Sequence, residues 1–587
     1  MQTILQLLEV RISAAMTALS GQPGNAAIVR PTTDPKFGDY QANGVMGLAK
    51  KMKTNPRKLA ETLVVQLDLS DMCDTPEIAG PGFINLRLKP DFLNTRLKAM
   101  AEDSIRLAID QSEACETVVV DFSSPNVAKQ MHVGHLRSTI IGDSLCRLLE
   151  FQGHRVIRQN HIGDWGTQFG MLIAFLLENN PTVGQGGDIE IEDLEQFYRD
   201  AKARFDEDPA FADTARKAVV TLQAGDEQSV GVWQKIVDES RRHYQPVYDT
   251  LGVRLTQENE RGESFYNDLL TPAVQALKDK GLAETSDGAM CVFPEGFKNK
   301  EGNPMPFIVQ KSDGGFLYAT TDCAALRYRV RDLKATRIVY VTDSRQKLHF
   351  DMLFATARAA GFAKETTNLA HVTFGTVLGE DGSPLKTRSG ENIKLKDLLD
   401  EAVSCAQSVV EGKNPDLSDT EKAKIAQAVG VGAVKYADYS NNRTSDYVFS
   451  FDKMLAMEGN TAPYMQYAYA RIQSIGRKAK GKGIDVEAEL TALDTLLLTE
   501  ASELDLAKHL ARYGEAIGFA IADYRPNFLT TYLYELAQKF SSYYTNCPVL
   551  SADPDKRPTR LLLCDLTART IKHGLSELLG ISVVEQM

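Results

Sequence analysis

The stretch Val118-Val119-Val120-Asp121-Phe122-Ser123-Ser124-Pro125-Asn126-Val127-Ala128-Lys129-Gln130-Met131-His132-Val133-Gly134-His135 decides how this chain folds. Val118 to Phe122 is a short run dominated by apolar residues and reads as a buried strand. Behind the histidines, Ile141, Leu145, Leu148 and Leu149 recur at helical spacing. The histidines therefore stand where a strand hands over to a helix. His132 and His135 are three apart and share one helical face. A helix N-terminus presents free N–H groups and the positive end of the dipole, which suits a phosphate. Gly134 has no side chain, so a flat ligand ring can lie close to the backbone. Two imidazoles beside a bound phosphate can donate hydrogen bonds to charge that grows in a transition state. A metal site is the other reading of two histidines, but no cysteine cluster or third histidine stands at ligand spacing.

Working outward, the helix predicted over 135–151 ends near Gly153, and His154 to Gln159 follows as a second strand, which makes a βαβ unit. Strand patterns return at Phe307–Gln310, Arg337–Thr342 and His371–Phe374, so residues from about 115 to 450 read as an α/β domain. The stretch from about 185 to 290 is rich in charge and helix formers and reads as a helical insertion or connection within it. Residues 1 to about 110 read as a separate α+β module. Its helical stretches lie near 2–19 and 41–66, and Phe83–Leu88 alternates like a strand after the turn residues Ala79-Gly-Pro-Gly. From about 455 onward nearly everything reads as helix, with apolar residues at helical spacing through 497–524 and 559–579.

A chain of 587 residues holds several domains, and its hydrophobic content of 43% and charged content of 25% are those of an ordinary globular protein. No apolar run is long enough to span a membrane. The amphipathic start, Met1 to Arg11, lacks the charged region and cleavage site of a signal peptide. Cysteines at 73, 115, 146, 291, 323, 405, 547 and 564 form no C-x-x-C pair. Neither a zinc ribbon nor a disulfide framework is indicated, and a reducing cytoplasm fits best. The net charge of -12 does not advertise an RNA binder, although a local basic stripe can hold a phosphate backbone on an acidic protein.

The constellation His132-Val-Gly-His135 resembles the HIGH motif of class I aminoacyl-tRNA synthetases. With Asn160-His-Ile-Gly-Asp-Trp-Gly-Thr-Gln-Phe-Gly170 beside it, the chain resembles the arginyl-tRNA synthetase family in particular, essentially over its whole length and in family order. The resemblance implies a Rossmann-type parallel-sheet catalytic core at 111–454. It implies an α+β domain at 1–110 that meets the outer corner of tRNA, and an all-helical anticodon-binding domain at 455–587. It further implies ATP with Mg²⁺, L-arginine and arginine tRNA as substrates, no tightly bound prosthetic group, a monomeric cytoplasmic enzyme, and activation that needs tRNA.

The resemblance also assigns residues. His132, His135 and Lys129 meet phosphates, with Gly134 under the adenine. The second phosphate loop of class I enzymes matches Gly379-Glu-Asp-Gly-Ser-Pro-Leu-Lys386-Thr-Arg388-Ser-Gly390, where Lys386 and Arg388 are the cations. It departs from the KMSKS consensus, with Pro384 at the leading lysine position. Lys129 matches the lysine that compensates in such enzymes. A polar hairpin turn with two solvated charges is the plainer reading of this loop. For the amino acid, Tyr318 and Asp322 match the guanidinium contacts. They stand four apart and share a face if a helix starts there. Asp121, Ser124, Asn126 and Gln346 map to groups around the substrate. On sequence alone Asp322 reads first as a helix cap or a surface ion pair, and it is the resemblance that reverses this.

For RNA, the resemblance points to Phe83 and Asn85 at the tRNA corner. It also points to Tyr467, Arg471, Tyr544 and Met587 near the anticodon loop. Phe83 and Tyr467 are each either core residues or stacking platforms for unpaired bases. Another class I synthetase would keep the histidine chemistry without a reason for the Tyr318–Asp322 pair. A nucleotidyltransferase would not account for the helical C-terminal third. An inactive tRNA-binding paralogue is disfavoured because both histidines and Lys129 are present.

Overall fold

The computed structural model describes every residue except Gly186, Asp188 and 387–391. The chain divides into two compact units. One is Ser112–Leu455 with Leu578–Ile581, and the other is Met1–Gln111 with Ala456–Glu577 and Ser582–Met587.

The first unit is built on a parallel sheet. In chain order its framework is β1 (Thr117–Asp121), α1 (Val133–Phe151), β2 (Arg155–Gln159), α2 (Tyr318–Arg331), β3 (Arg337–Asp343), α3 (Lys347–Ala359) and β4 (Asn368–Phe374). The strand order is β4-β3-β1-β2, all parallel, with Val118 opposite both Val156 and Arg337. The chain moves one way from β1 to β2 and the other way from β3 to β4. The crevice above the carboxyl ends of β1 and β3 is thus a topological switch point, where open α/β sheets bind ligands. Val118, Val119, Val120 and Phe122 are fully buried, because helices cover both faces of such a sheet. Helix α1 lies so close to the end of β1 that a side chain on Gly142 would stand 2.2 Å from Phe122 Cγ.

The expected helical stretch is present as Leu194–Glu207, Pro209–Gln223, Glu227–Leu251 and Asn267–Asp279, and helix Gln168–Asn179 precedes it. Residues 283–292 differ from that expectation. Ala283–Ser286 and Ala289–Val292 form an antiparallel hairpin across Asp287 and Gly288, which take φ of 50° and 79°. Positive φ at both turn residues is the conformation that two-residue hairpins favour. Phe307–Gln310 is the third strand of this small antiparallel sheet and not a member of the parallel one.

In the second unit the N-terminal segment carries helix Ile4–Ser20 and a four-stranded antiparallel sheet. Its order is Val29–Pro31, Tyr40–Ala42, Phe83–Leu86, Glu77–Ala79. The stretch near 41–66 is two helices, Val45–Met52 and Pro56–Gln66. Lys53 in a left-handed conformation (φ 52°) ends the first, and Asn55 caps the second with Pro56 at its start. Five helices of ten residues or more follow from Ala462: Ala462–Gly481, Ala501–Ala511, Tyr513–Ala522, Asn527–Asn546 and Arg557–Lys572. The two parts share an interior. Buried Tyr40 donates to the buried Glu515 carboxylate at 2.6 Å, and the Leu5 N–H donates to the same oxygen at 3.0 Å.

The eight cysteines are free thiols. No helix among the described residues is long and apolar enough to cross a membrane.

Candidate active site

Between the end of β1 and the start of α1 the backbone is strained in three places. Ser123, Ser124 and Ala128 take φ of 75°, 52° and 61° without being glycines. Each is held there by a hydrogen bond to its own N–H. The acceptors are Ser138 Oγ at 2.9 Å, Asn160 Oδ1 at 3.0 Å and Ser240 Oγ at 2.9 Å. Strain of this kind persists only where the surroundings over-determine it, and such places gather at functional sites.

The segment ends in a helix cap made of histidines. His132 is the N-cap of α1, and its Nδ1 accepts the Gly134 N–H at 3.1 Å. The His132 N–H in turn donates to His135 Nδ1 at 3.1 Å. The rings sit 4.1 Å apart. His132 Nδ1 accepts from backbone, so its neutral ring keeps the proton on Nε2. His135 Nδ1 faces both the His132 N–H at 3.1 Å and the His132 carbonyl at 3.3 Å, and its tautomer follows which of the two it pairs with. Burial holds both imidazoles neutral. It pushes His135 down to about 4, and it lowers His132, with the Lys129 charge adding to the effect against that of Glu195. Gly134 is demanded by the cap as well as by any ligand, since a Cβ there would stand 2.7 Å from the His132 ring.

The histidines open onto a cleft of about 840 Å³ at the switch point. One wall is Ser124, Asn126, His132, Gly134, His135 and Arg137. The end of β3 contributes Thr342, Asp343, Arg345 and Gln346. The far wall runs from Phe374 to Val377 and from Pro384 to Lys386. That far wall is tied down. Val377–Leu378 pairs in parallel with Tyr447–Val448, and Gly375 approaches Ser445 so closely that a Cβ would meet its carbonyl at 2.7 Å. Fully buried Arg137 reaches across, paired with Asp438 at 2.9 Å and donating to the Ser445 carbonyl at 3.0 Å.

The cleft thus gathers His132, Gly134, His135, Lys386, Ser124, Asn126 and Gln346 of the expected residues. Others lie elsewhere. Lys129 does not line the cleft, and its ammonium rests on the Tyr198 ring, 4.5 Å from the centroid. Asp121 is buried, with its carboxylate taken by Arg329 at 2.7 Å and the Ser124 hydroxyl at 3.4 Å. Tyr318 and Asp322 do begin a helix and share its face, but both turn to His349. The His349 Nε2 lies 2.6 Å from Asp322 Oδ2, and its ring is 5.0 Å from that of Tyr318. Arg388 lies outside the described residues. Arg137, Asp343, Arg345 and His349 were not anticipated. The switch-point rule would have marked 343–345, which directly follow an apolar strand ending at Thr342.

In the other unit, Phe83 opens its strand half-buried, while Asn85 is 7% exposed and accepts from the Gln41 amide at 2.8 Å. Tyr467 is an exposed aromatic on helix Ala462–Gly481. Arg471 stacks on Tyr544 at 4.5 Å. The same helix ties down the tail that ends at Met587, through Gln466 to the Ser582 carbonyl and Tyr469 to Glu585, each at 2.8 Å.

Residues 98–451 match the family described as tRNA synthetases class I (R), catalytic domain. Residues 6–88 match the arginyl tRNA synthetase N terminal domain, and 465–587 the DALR anticodon binding domain. The chain belongs to the arginyl-tRNA synthetase family. It is 52% identical to the arginine–tRNA ligase of a Picosynechococcus species and 51% identical to that of Chromobacterium violaceum, with all of each chain covered. Among solved structures it resembles arginyl-tRNA synthetase from Plasmodium falciparum, with TM-score 0.86, 31% identity and full coverage of both chains. It also resembles the Thermus thermophilus synthetase, with TM-score 0.81, 25% identity and full coverage. The architecture is accordingly a class I catalytic domain with an N-terminal domain and a C-terminal helical domain.

Proposed function

We propose that this chain is an arginine–tRNA ligase. The arginine carboxylate attacks the α-phosphate of ATP, giving arginyl-adenylate and pyrophosphate, and the arginyl group then passes to the terminal ribose of arginine tRNA. The observation that carries this reading is the pair of neutral imidazoles that cap α1 and open onto the switch-point cleft. No covalent nucleophile is needed for such a reaction, only positioning and stabilisation of charge on the phosphates. Preorganised N–H donors suit that charge as it grows. Lys386 and Arg388 add cations from the second loop, and Mg²⁺ arrives with the ATP and neutralises its polyphosphate.

Lys129 reaches the phosphates by leaving the Tyr198 ring, a contact worth about 0.5–1 kcal/mol at an exposed site. Ser124, Asn126 and Gln346 take the ammonium and carboxylate of arginine. Tyr318 and Asp322 take the guanidinium, a planar fork that selects a carboxylate held in its plane. Asp121 acts from behind, through Ser124 on Oδ1, because Arg329 holds Oδ2. Phe83 and Asn85 meet the outer corner of tRNA. Tyr467, Arg471, Tyr544 and Met587 meet the anticodon loop. The working division is a tRNA-corner domain at 1–110, a catalytic domain at 111–454 and an anticodon domain at 455–587. The enzyme acts as a cytoplasmic monomer whose activation step needs tRNA.

The test is exchange of labelled pyrophosphate into ATP, with arginine or lysine and with or without arginine tRNA. Exchange that needs both arginine and its tRNA is expected. Exchange without tRNA would remove the tRNA requirement alone. A folded chain with no exchange under any condition would overturn the proposal.

A further inference from the structure

The acid assigned to the guanidinium of arginine does not stand free. Asp322 lies just past the first turn of α2, and its Oδ2 is 2.6 Å from His349 Nε2 on α3. Both side chains are mostly buried, at 20% and 16% exposed. The imidazole is itself fixed by packing. Its ring stands 5.0 Å from Tyr318, 5.6 Å from Phe307 and 5.3 Å from Phe350. It lies one turn beyond Gln346, which lines the cleft. A carboxylate without a partner swings among rotamers, and fixing it costs conformational entropy when a ligand arrives. A ring nitrogen that donates to one oxygen removes that freedom beforehand. It leaves the other oxygen and the carboxylate plane set for a planar partner.

Resting on the reading of Asp322 as the guanidinium acid, we infer that His349 is a positioning residue for amino acid specificity. It presets Asp322 and Tyr318 so that a substrate carrying a flat cationic fork is favoured over lysine, which has the charge without the plane. Its effect passes through Asp322, so it shapes the use of arginine and leaves ATP alone.

The experiment is tRNA-dependent pyrophosphate exchange on the full chain, with KM measured separately for arginine and ATP, for His349→Leu, His349→Gln, Asp322→Asn and the double variant His349→Leu/Asp322→Asn. Leucine fills similar space without a donor, whereas the glutamine amide donates from about the reach of Nε2. Loss of a hydrogen bond to a charged group predicts a rise of about tenfold in KM for arginine in His349→Leu, with KM for ATP unchanged. His349→Gln recovers most of that loss. The double variant is no worse than Asp322→Asn alone, because two residues acting as a unit are non-additive. A parallel loss for ATP and arginine, a glutamine variant as poor as leucine, or additive effects in the double variant would each overturn the inference. If Asp322→Asn raises KM for arginine while His349→Leu does not, the inference fails and the assignment of Asp322 stands. If Asp322→Asn leaves KM for arginine unchanged, both fall.

Discussion

At the scale of single residues, the site depends on where a proton sits. When His135 Nδ1 accepts the His132 N–H, the ring carries a donor on Nε2, and burial keeps the ring neutral. His135→Ala removes that donor from the cleft. Pyrophosphate exchange is expected to fall about 10²- to 10³-fold, the range seen when one preorganised donor is lost, while circular dichroism still reports a folded chain. Near-normal exchange in this variant would end the phosphate role of His135. The histidines were legible in the sequence because their chemistry is local: a strand, four residues and a helix start lie in one short stretch. Asp121 was legible only as an acid near the site. What it touches, Arg329, is far along the chain on α2, and no periodicity links the two. His349 was missed for the same reason, since its partner lies on another helix.

At the scale of elements, α1 carries the histidine cap, and its seat on the sheet depends on Gly142. A methyl group there collides with the Phe122 ring at 2.2–2.4 Å, a group that is buried and cannot swing aside. Gly142→Ala is expected to lower stability in urea by about 1–3 kcal/mol, as overpacking does. It should also depress exchange in the fraction that remains folded. Unchanged stability would mean that α1 shifts freely on β1. Strands β1 and β3 were legible as continuous buried apolar runs, whereas β2 and β4 carry polar, partly exposed residues and were legible from the alternation of strand and helix around them. The hairpin at 283–292 was not recognised, although Asp287-Gly288 is the dipeptide that favours a two-residue turn. Its strands, Ala283–Ser286 and Ala289–Val292, lack strict alternation, and the surrounding charge masked them within a helical stretch.

At the scale of the whole molecule, distant stretches of chain meet inside each unit. Fully buried Lys435 donates to the carbonyls of Leu251 and Gly580, each at 2.6 Å. Close by, Ser144 on α1 donates to the Leu578 carbonyl at 3.1 Å. Lys435→Met takes this donor from the buried Leu251 carbonyl and from the part-buried Gly580 carbonyl. It should cost about 1–3 kcal/mol for each, read as a lower urea midpoint. In the other unit, His509 is buried, stacks on Tyr532 and donates to that residue's carbonyl at 3.0 Å. Burial pushes it down to about 3. The unfolded chain takes up this proton below about pH 6.5 while the folded chain refuses it. The contribution is therefore intact above pH 6.5 and is lost progressively as pH falls toward 3. His509→Gln keeps a donor without the titration, so its melting temperature should fall less steeply than the parent's between pH 6.5 and 4. Parallel curves would refute the assignment.

The position of Leu578–Ile581 within the Ser112–Leu455 unit has a consequence for synthesis. On the ribosome, the sheet and its histidine cap emerge long before residue 581 does. Until then Lys435 has the Leu251 carbonyl without that of Gly580, and Ser144 lacks Leu578. The nascent catalytic unit waits, unsealed, for Leu578–Ile581, a segment made long after Leu455.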